Sequence, residues 1–238
     1  MYKDVLLNQL ALEFDIALEK INNSNLFITE YKNIEGSRFK KESFLRIVVY
    51  EEKFFIMCNS LIINWCKEHF KNISPEWISE PEGITEINNY LKLYNKKIID
   101  MHHYYLPVND SVINNTFDIN WYKENEISIF KNDNRFSSAI LFDEATPDML
   151  AVVGNDGDKI LGMAGATKNS ELLWEIGVDT TIEGKGKKVA STLVSHLKSK
   201  ILNMGIIPYY GTVESHIKSQ RVAIRAGFEP AYFELFTD

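Results

Sequence analysis

The segment from Leu172 to Phe228 constrains the fold more than any other part of the chain. An apolar run, Leu172-Leu173-Trp174-Glu175-Ile176-Gly177-Val178, meets the stretch Ile182-Glu183-Gly184-Lys185-Gly186-Lys187-Lys188-Val189-Ala190, which opens directly into a helix ending near Gly205. Val189, Leu193, Leu197 and Ile201 recur every four residues, with Ala190 and Val194 widening the stripe, so one face of that helix is core. A second strand, Ile206 to Val213, follows at once, and then a second helix from about Ser215 to a glycine stop at Gly227. Strand, helix, strand and helix of this length form a βαβ unit, which implies parallel strands and a ligand at their C-terminal ends.

The glycine and lysine turn has the chemistry of an anion site. First-turn N–H groups of a helix have no intrahelical acceptor, the macrodipole adds about half a positive charge there, and glycine lets a phosphate approach the backbone. Lys185, Lys187 and Lys188 add mobile charge, so a phosphorylated cofactor is expected. Two alternatives fail on spacing. Gly184-Lys185-Gly186-Lys187-Lys188 lacks the spacing and the hydroxyl of a P-loop, and Gly184-x-Gly186 followed by Val189 breaks the dinucleotide fingerprint.

Four stretches, Trp174 to Asp179, Ile182 to Ala190, Pro208 to Thr212 and Ser219 to Phe228, resemble the GNAT superfamily of N-acetyltransferases in order and gap-free spacing. In the family signature Arg/Gln-x-x-Gly-x-Gly/Ala, Lys185 takes the first place, Lys188 replaces the central glycine and Ala190 fits the last. The resemblance implies an α/β fold of the α+β, mixed-sheet kind, with a GNAT-like acyl-CoA N-acyltransferase unit in the C-terminal half. It also implies acetyl-CoA, held by Ile176, Gly177 and Val178 along the strand, by Lys185, Gly186, Lys187, Lys188, Val189 and Ala190 at the turn, and by His216 and Ser219 near the second helix. Gly177 would permit close approach. Lys188 must adopt whatever backbone angles the glycine had, and left-handed angles would cost about 1–2 kcal/mol.

The activity implied is transfer of acetyl to a primary amine of a small molecule or peptide by direct attack. Glu175, the only carboxylate in the central strand run before Val178, is the expected base, on one strand face with Gly177 and opposite Ile176 and Val178. An exposed or salt-bridged strand carboxylate is the alternative reading. Ala223 stands where many members carry the tyrosine that protonates the thiolate, and His216 stands where they carry asparagine. Protonation then falls to Tyr209, Tyr210, Tyr232, His216 or water, with Tyr210 taken as the acid. These departures also fit a non-catalytic acyl-CoA-binding or regulatory module.

Composition narrows the partners. A formal charge of -7 and a pI near 5.4 argue against nucleic acid, which requires a basic face, and tolerate a cationic amine. No run approaches the roughly 18 apolar residues of a membrane span, and Met1-Tyr2-Lys3-Asp4-Val5 begins an amphipathic helix rather than a signal core, so a cytoplasmic protein is expected. Cys58 and Cys66 read as a reduced, buried pair, and no metal site is expected.

Residues 1–115 are expected to form an accessory or degenerate GNAT-like domain, an eroded duplicate of the acetyl-CoA-binding domain at 116–238. The opening helix runs from Val5 to Ile21, a hairpin joins Phe44–Tyr50 to Phe54–Cys58, helices follow near Ile62–Cys66 and Thr85–Tyr94, and Met101–Pro107 is strand-like. Of the adjacent pair His102 and His103, strand alternation lets at most one face a site. In the second domain, a strand at Phe117–Tyr122, a hairpin of Met149–Val153 with Ile160–Ala166, and the strand at Leu172–Asp179 make an antiparallel meander that feeds the βαβ unit.

Overall fold

The opening apolar pattern breaks before its periodicity does. Helix α1 (Tyr2–Glu13) stops where Asp15 takes a left-handed φ of 52°, and the expected helix to Ile21 is completed only by the separate turn α2 (Leu18–Ile21). The computed structural model describes residues 2–238. Next in chain order come β1 (Leu26–Glu30), β2 (Leu45–Tyr50), β3 (Lys53–Cys58), α3 (Ile63–His69), α4 (Pro81–Leu91), β4 (Ile98–Pro107) and β5 (Asp118–Lys123). They are followed by α5 (Glu124–Ile127), β6 (Asp148–Asp156), β7 (Lys159–Lys168), β8 (Leu173–Thr180), α6 (Val189–Leu202), β9 (Ile207–Thr212), α7 (Ile217–Arg225) and β10 (Phe228–Thr237).

Two compact units emerge, and they are drawn differently from a division at residues 115 and 116. One comprises residues 3–104 with 231–238, the other residues 105–230. The reason is β10, a strand absent from the sequence reading: Tyr232 to Phe236 pair antiparallel with Tyr50 to Arg46, so the last residues complete the first unit's sheet.

In the first unit the strands lie in the order β1-β3-β2-β10-β4. The hairpin of β2 and β3 forms as expected, with β1 parallel to β3 at its edge. Ile47, Val49, Phe54, Ile56 and Leu235 bury one face of this sheet against Cys66 and Phe70 of the α3 region and Ile87 and Leu91 of α4. Cys58 and Cys66 are free and buried in the same cluster. Arg46 and Glu234, which alternate with those apolar residues, form a buried ion pair that Ser43 extends. A second buried pair ties α1 to the loop after β1: Arg38 donates from Nε and Nη2 to the two carboxylate oxygens of Glu13 at 2.8 and 2.7 Å, and from Nη1 to the Tyr232 hydroxyl at 2.6 Å. Tyr232 is thereby committed to the first unit's interior. His102 pairs through Nδ1 with Asp100 at 2.7 Å, while His103 packs on Phe233.

The second unit has the order β9-β8-β7-β6-β5. Strands β5 to β8 form the expected antiparallel meander, and β8 pairs parallel with β9. The predicted stripe of α6 is the core: Val189, Leu193, Val194, Leu197 and Ile201 pack on Val152, Ala164, Ala166, Trp174 and Ile176. The opposite sheet face carries a smaller cluster around Phe130, Phe136 and Ile140. Helix α7 starts two residues later than expected and still ends at Gly227, which takes a φ of 86°.

Candidate active site

Parallel pairing of β8 with β9 covers only Leu173↔Ile207, Trp174↔Pro208 and Glu175↔Tyr209. Beyond that rung β8 continues to Thr180 and β9 to Thr212, while β8 remains paired with β7 as far as Gly162↔Thr180. The two strands therefore part at Glu175, and among the described residues one edge of β8 from Ile176 onward has no strand partner to take up its peptide groups. Ile176 is buried and Val178 half-buried on the α6 face, as alternation requires.

Gly177 corrects one expectation. The close approach at this residue comes from the chain itself: a Cβ there would lie 1.8 Å from the Ser138 carbonyl oxygen. The Asp179 carboxylate fixes that approach by accepting from the Ser138 and Ala139 N–H groups at 2.7 and 3.0 Å. The segment at 138–139 thus lies on the sheet face that also carries Glu175.

The turn before α6 has the shape of an anion cradle. Gly184 is pressed against Leu161, whose carbonyl oxygen would sit 2.0 Å from an added Cβ, and this anchors the turn to the end of β7. Gly186 takes φ 77°, and Lys188, at the N-cap, takes φ 62° and ψ 15° with no side-chain cap. These left-handed angles put a strain of about 1–2 kcal/mol on Lys188. Among the described residues, the backbone N–H groups of Gly186, Lys188, Val189, Ala190 and Ser191 find no acceptor; the first helical bond is Thr192 N–H to Lys188 C=O at 3.1 Å. Two successive left-handed corners followed by a helix N-terminus concentrate these donors on one small anion. Lys185, Lys187 and Lys188 are exposed, and Lys187 Nζ stands 3.9 Å from Asp156, which partly offsets its charge.

The two residues expected to carry catalysis are not brought together. Glu175 is half-buried at the last rung, its N–H donating to Asn169 Oδ1 at 3.2 Å and its Oε2 accepting from the Tyr209 hydroxyl at 3.3 Å. Tyr210, one residue on, faces the other way into the α6 core, where its hydroxyl bonds Ser219 Oγ at 2.8 Å and burial pushes its pKa up. Ser219 is therefore a partner of Tyr210. His216 is exposed at the start of α7 without a capping bond, and Ala223 is fully buried in the core. Sequence reasoning named Tyr209 but missed its bond to Glu175, and missed Asn169 and Asp179 altogether. Cross-strand register brings Tyr209 to Glu175, and no local pattern reports that register. Among the described residues there is no group of three or more potential metal ligands, and no helix is long and apolar enough to cross a membrane.

No protein-family profile and no curated protein matches the chain. Solved structures do. They include a GCN5-related N-acetyltransferase-like protein from Streptococcus suis 89/1591 (14% identity, 66% of this chain and 68% of that one, TM-score 0.47). A second is an acetyltransferase of the GNAT family from Colwellia psychrerythraea (14% identity, 63% and 61%, TM-score 0.43). A third, yncA from Salmonella typhimurium, was solved with its cofactor acetyl-CoA (12% identity, 52% and 94%, TM-score 0.37). The chain thus spans 68% and 61% of the length of the first two. The second unit thus combines an antiparallel meander, a switch to parallel pairing at β8 and β9, the parting of those strands and a left-handed turn into α6.

Proposed function

We propose that the protein is an N-acetyltransferase that moves the acetyl group of acetyl-CoA to a primary amine of a small molecule or peptide. One observation carries this reading: β8 and β9 part at the rung that holds Glu175, so an unpaired β-edge opens beside a half-buried carboxylate. The cofactor suits the residues present. The N–H groups of Gly186, Lys188, Val189, Ala190 and Ser191, acceptorless among the described residues, match a pyrophosphate, no atom lies within 4 Å of a Cβ built on Gly186, and Lys185, Lys187 and Lys188 supply the charge, with His216 flanking at α7. Bound there, acetyl-CoA supplies an activated thioester.

The chain's own groups supply the rest. The edge from Ile176 to Val178 offers N–H donors to the cofactor's amide arm and to the carbonyl oxygen on which charge develops. Glu175 takes the proton of the attacking amine, and the Tyr209 hydroxyl donates to its Oε2 and orients the carboxylate. Tyr210, kept protonated by burial, is the phenol assigned to the departing thiolate, with Ser219 as its hydrogen-bond partner. The absence of a side-chain acid at Ala223 favours a second reading, an acyl-CoA-binding or regulatory module without turnover.

Calorimetry with CoA, followed by release of free thiol from acetyl-CoA in the presence of a panel of amines, tests both. Turnover in Glu175→Gln should fall at least about tenfold with CoA affinity unchanged. Undiminished turnover rejects Glu175 as base. No heat at millimolar CoA rejects the cofactor, and binding without acetylation of any amine leaves the regulatory reading standing.

A further inference from the structure

The far end of α6 borders a cleft that acetyl transfer does not use. Its volume is about 650 Å³, and Met149, Leu150, Trp174 and Met204 supply its apolar lining, with Lys123, Glu124 and Lys200 at its polar rim. Lys200 and Met204 lie at the C-terminal end of the helix that Lys188 opens, so the cleft and the anion cradle are separated by roughly 18 Å along α6.

Two features give this cleft a chemistry. Trp174 is 5% exposed and packed in the core, yet its indole N–H has no acceptor among the described residues. That N–H has no solvent-accessible surface, so Trp174 serves the cleft as apolar wall and as a reporter of what binds beside it. Lys123 and Lys200 have no ion-pair partner among the described residues, which makes the rim net cationic even with Glu124 counted. An apolar lining and a surplus of positive charge at the rim select a ligand with an apolar body and an anionic head.

We propose that this cleft is a second ligand site for a small amphipathic carboxylate. Its chain lies over Met149, Leu150, Trp174 and Met204, and its head group is drawn to Lys123 and Lys200. A cavity of this size suits a medium-chain aliphatic or a single-ring acid. The site is independent of the acetyl-transfer reading, because none of its residues belongs to that machinery.

Decanoate, decanol and decylamine are the probes, and the indole N–H resonance of Trp174 in nitrogen-15-labelled full-length protein, assigned with Trp174→Phe, is the readout. Decanoate should shift that resonance saturably with a Kd of about 1 mM or below, at least about tenfold tighter than decanol, and decylamine should be weaker still. Lys123→Glu with Lys200→Glu should weaken decanoate about tenfold or more and leave decanol and CoA affinities unchanged. Met204→Trp, at an exposed rim position, should narrow the cleft and weaken both decanoate and decanol. No saturable shift with decanoate at about 10 mM overturns the proposal, as does equal binding of decanol, tighter binding of decylamine, or indifference to the lysine reversals.

Discussion

The buried charges of the first unit are matched by side chains, whereas the β8–β9 edge of the second is left open by backbone. In the first unit Glu13 meets Arg38, Arg46 meets Glu234, and Tyr232 and Ser43 take up further donors, so the buried charges there answer one another. In the second unit the N–H groups of Gly186, Lys188, Val189, Ala190 and Ser191 have no acceptor among the described residues, and β8 beyond Glu175 is not paired with β9. The contrast teaches where binding capacity resides: a buried polar group already matched is structural, and an unmatched row of N–H groups at a helix start is available to a ligand.

The contrast is sharpest in its response to mutation. Arg38→Ala leaves the Glu13 carboxylate buried without its partner and should cost about 3–5 kcal/mol in denaturant unfolding of the full chain, with CoA affinity preserved in the folded fraction. A loss under 1 kcal/mol would mean that the first unit's network is not what holds it. Gly177→Ala forces a methyl into the Ser138 carbonyl and should cost up to about 3 kcal/mol while displacing the segment that lies over the Glu175 face.

Lys198 is the second unit's exception to the comparison, a fully buried amine without a hydrogen-bond partner, 5.8 Å above the Phe228 ring. Burial lowers its pKa to about 8, from an ordinary lysine value of 10.5. The folded state therefore resists protonation more than the unfolded state does: wild type is penalised while the amine is charged, and its stability rises as pH climbs from about 8 towards 10.5. Lys198→Met should gain about 2 kcal/mol at pH 7, with the gain shrinking across that window. A gain independent of pH would assign the effect to packing alone. The smallest expected change is at Lys188→Gly, which should stabilise by about 1 kcal/mol by releasing the left-handed strain and leave CoA affinity within a few-fold, because the backbone donors remain. A large loss of affinity would shift the anion's contacts from backbone to the Lys188 side chain.

What the sequence disclosed follows from the range of the forces involved. The α6 stripe and the hairpins are local, set by periodicity and turn chemistry, and the structure bears out each of them. The strand at Leu26–Glu30 was hidden by the polar cluster Asn22–Asn25, which reads as the end of a helix, and its partner β3 is specified only by tertiary pairing. The bond between Tyr209 and Glu175 depends on register between β8 and β9, and the contact at Gly177 depends on where a segment some forty residues earlier returns to the sheet. Residue types at the site were legible, but which of them touch was not.

The pairing of β10 with β2 sets the order in which the molecule is completed. Arg46 and Glu234 are 188 residues apart, and a polypeptide leaves the ribosome at about 5–20 residues per second, so β2 is exposed for many seconds before its neighbour exists. The second unit, contiguous from residue 105 to 230, has all its strands by then. The half of the chain synthesised first is thus the half finished last, and a nascent chain stopped short of residue 231 carries an unsealed edge at Leu45–Tyr50, where strand-to-strand association between chains is expected to begin.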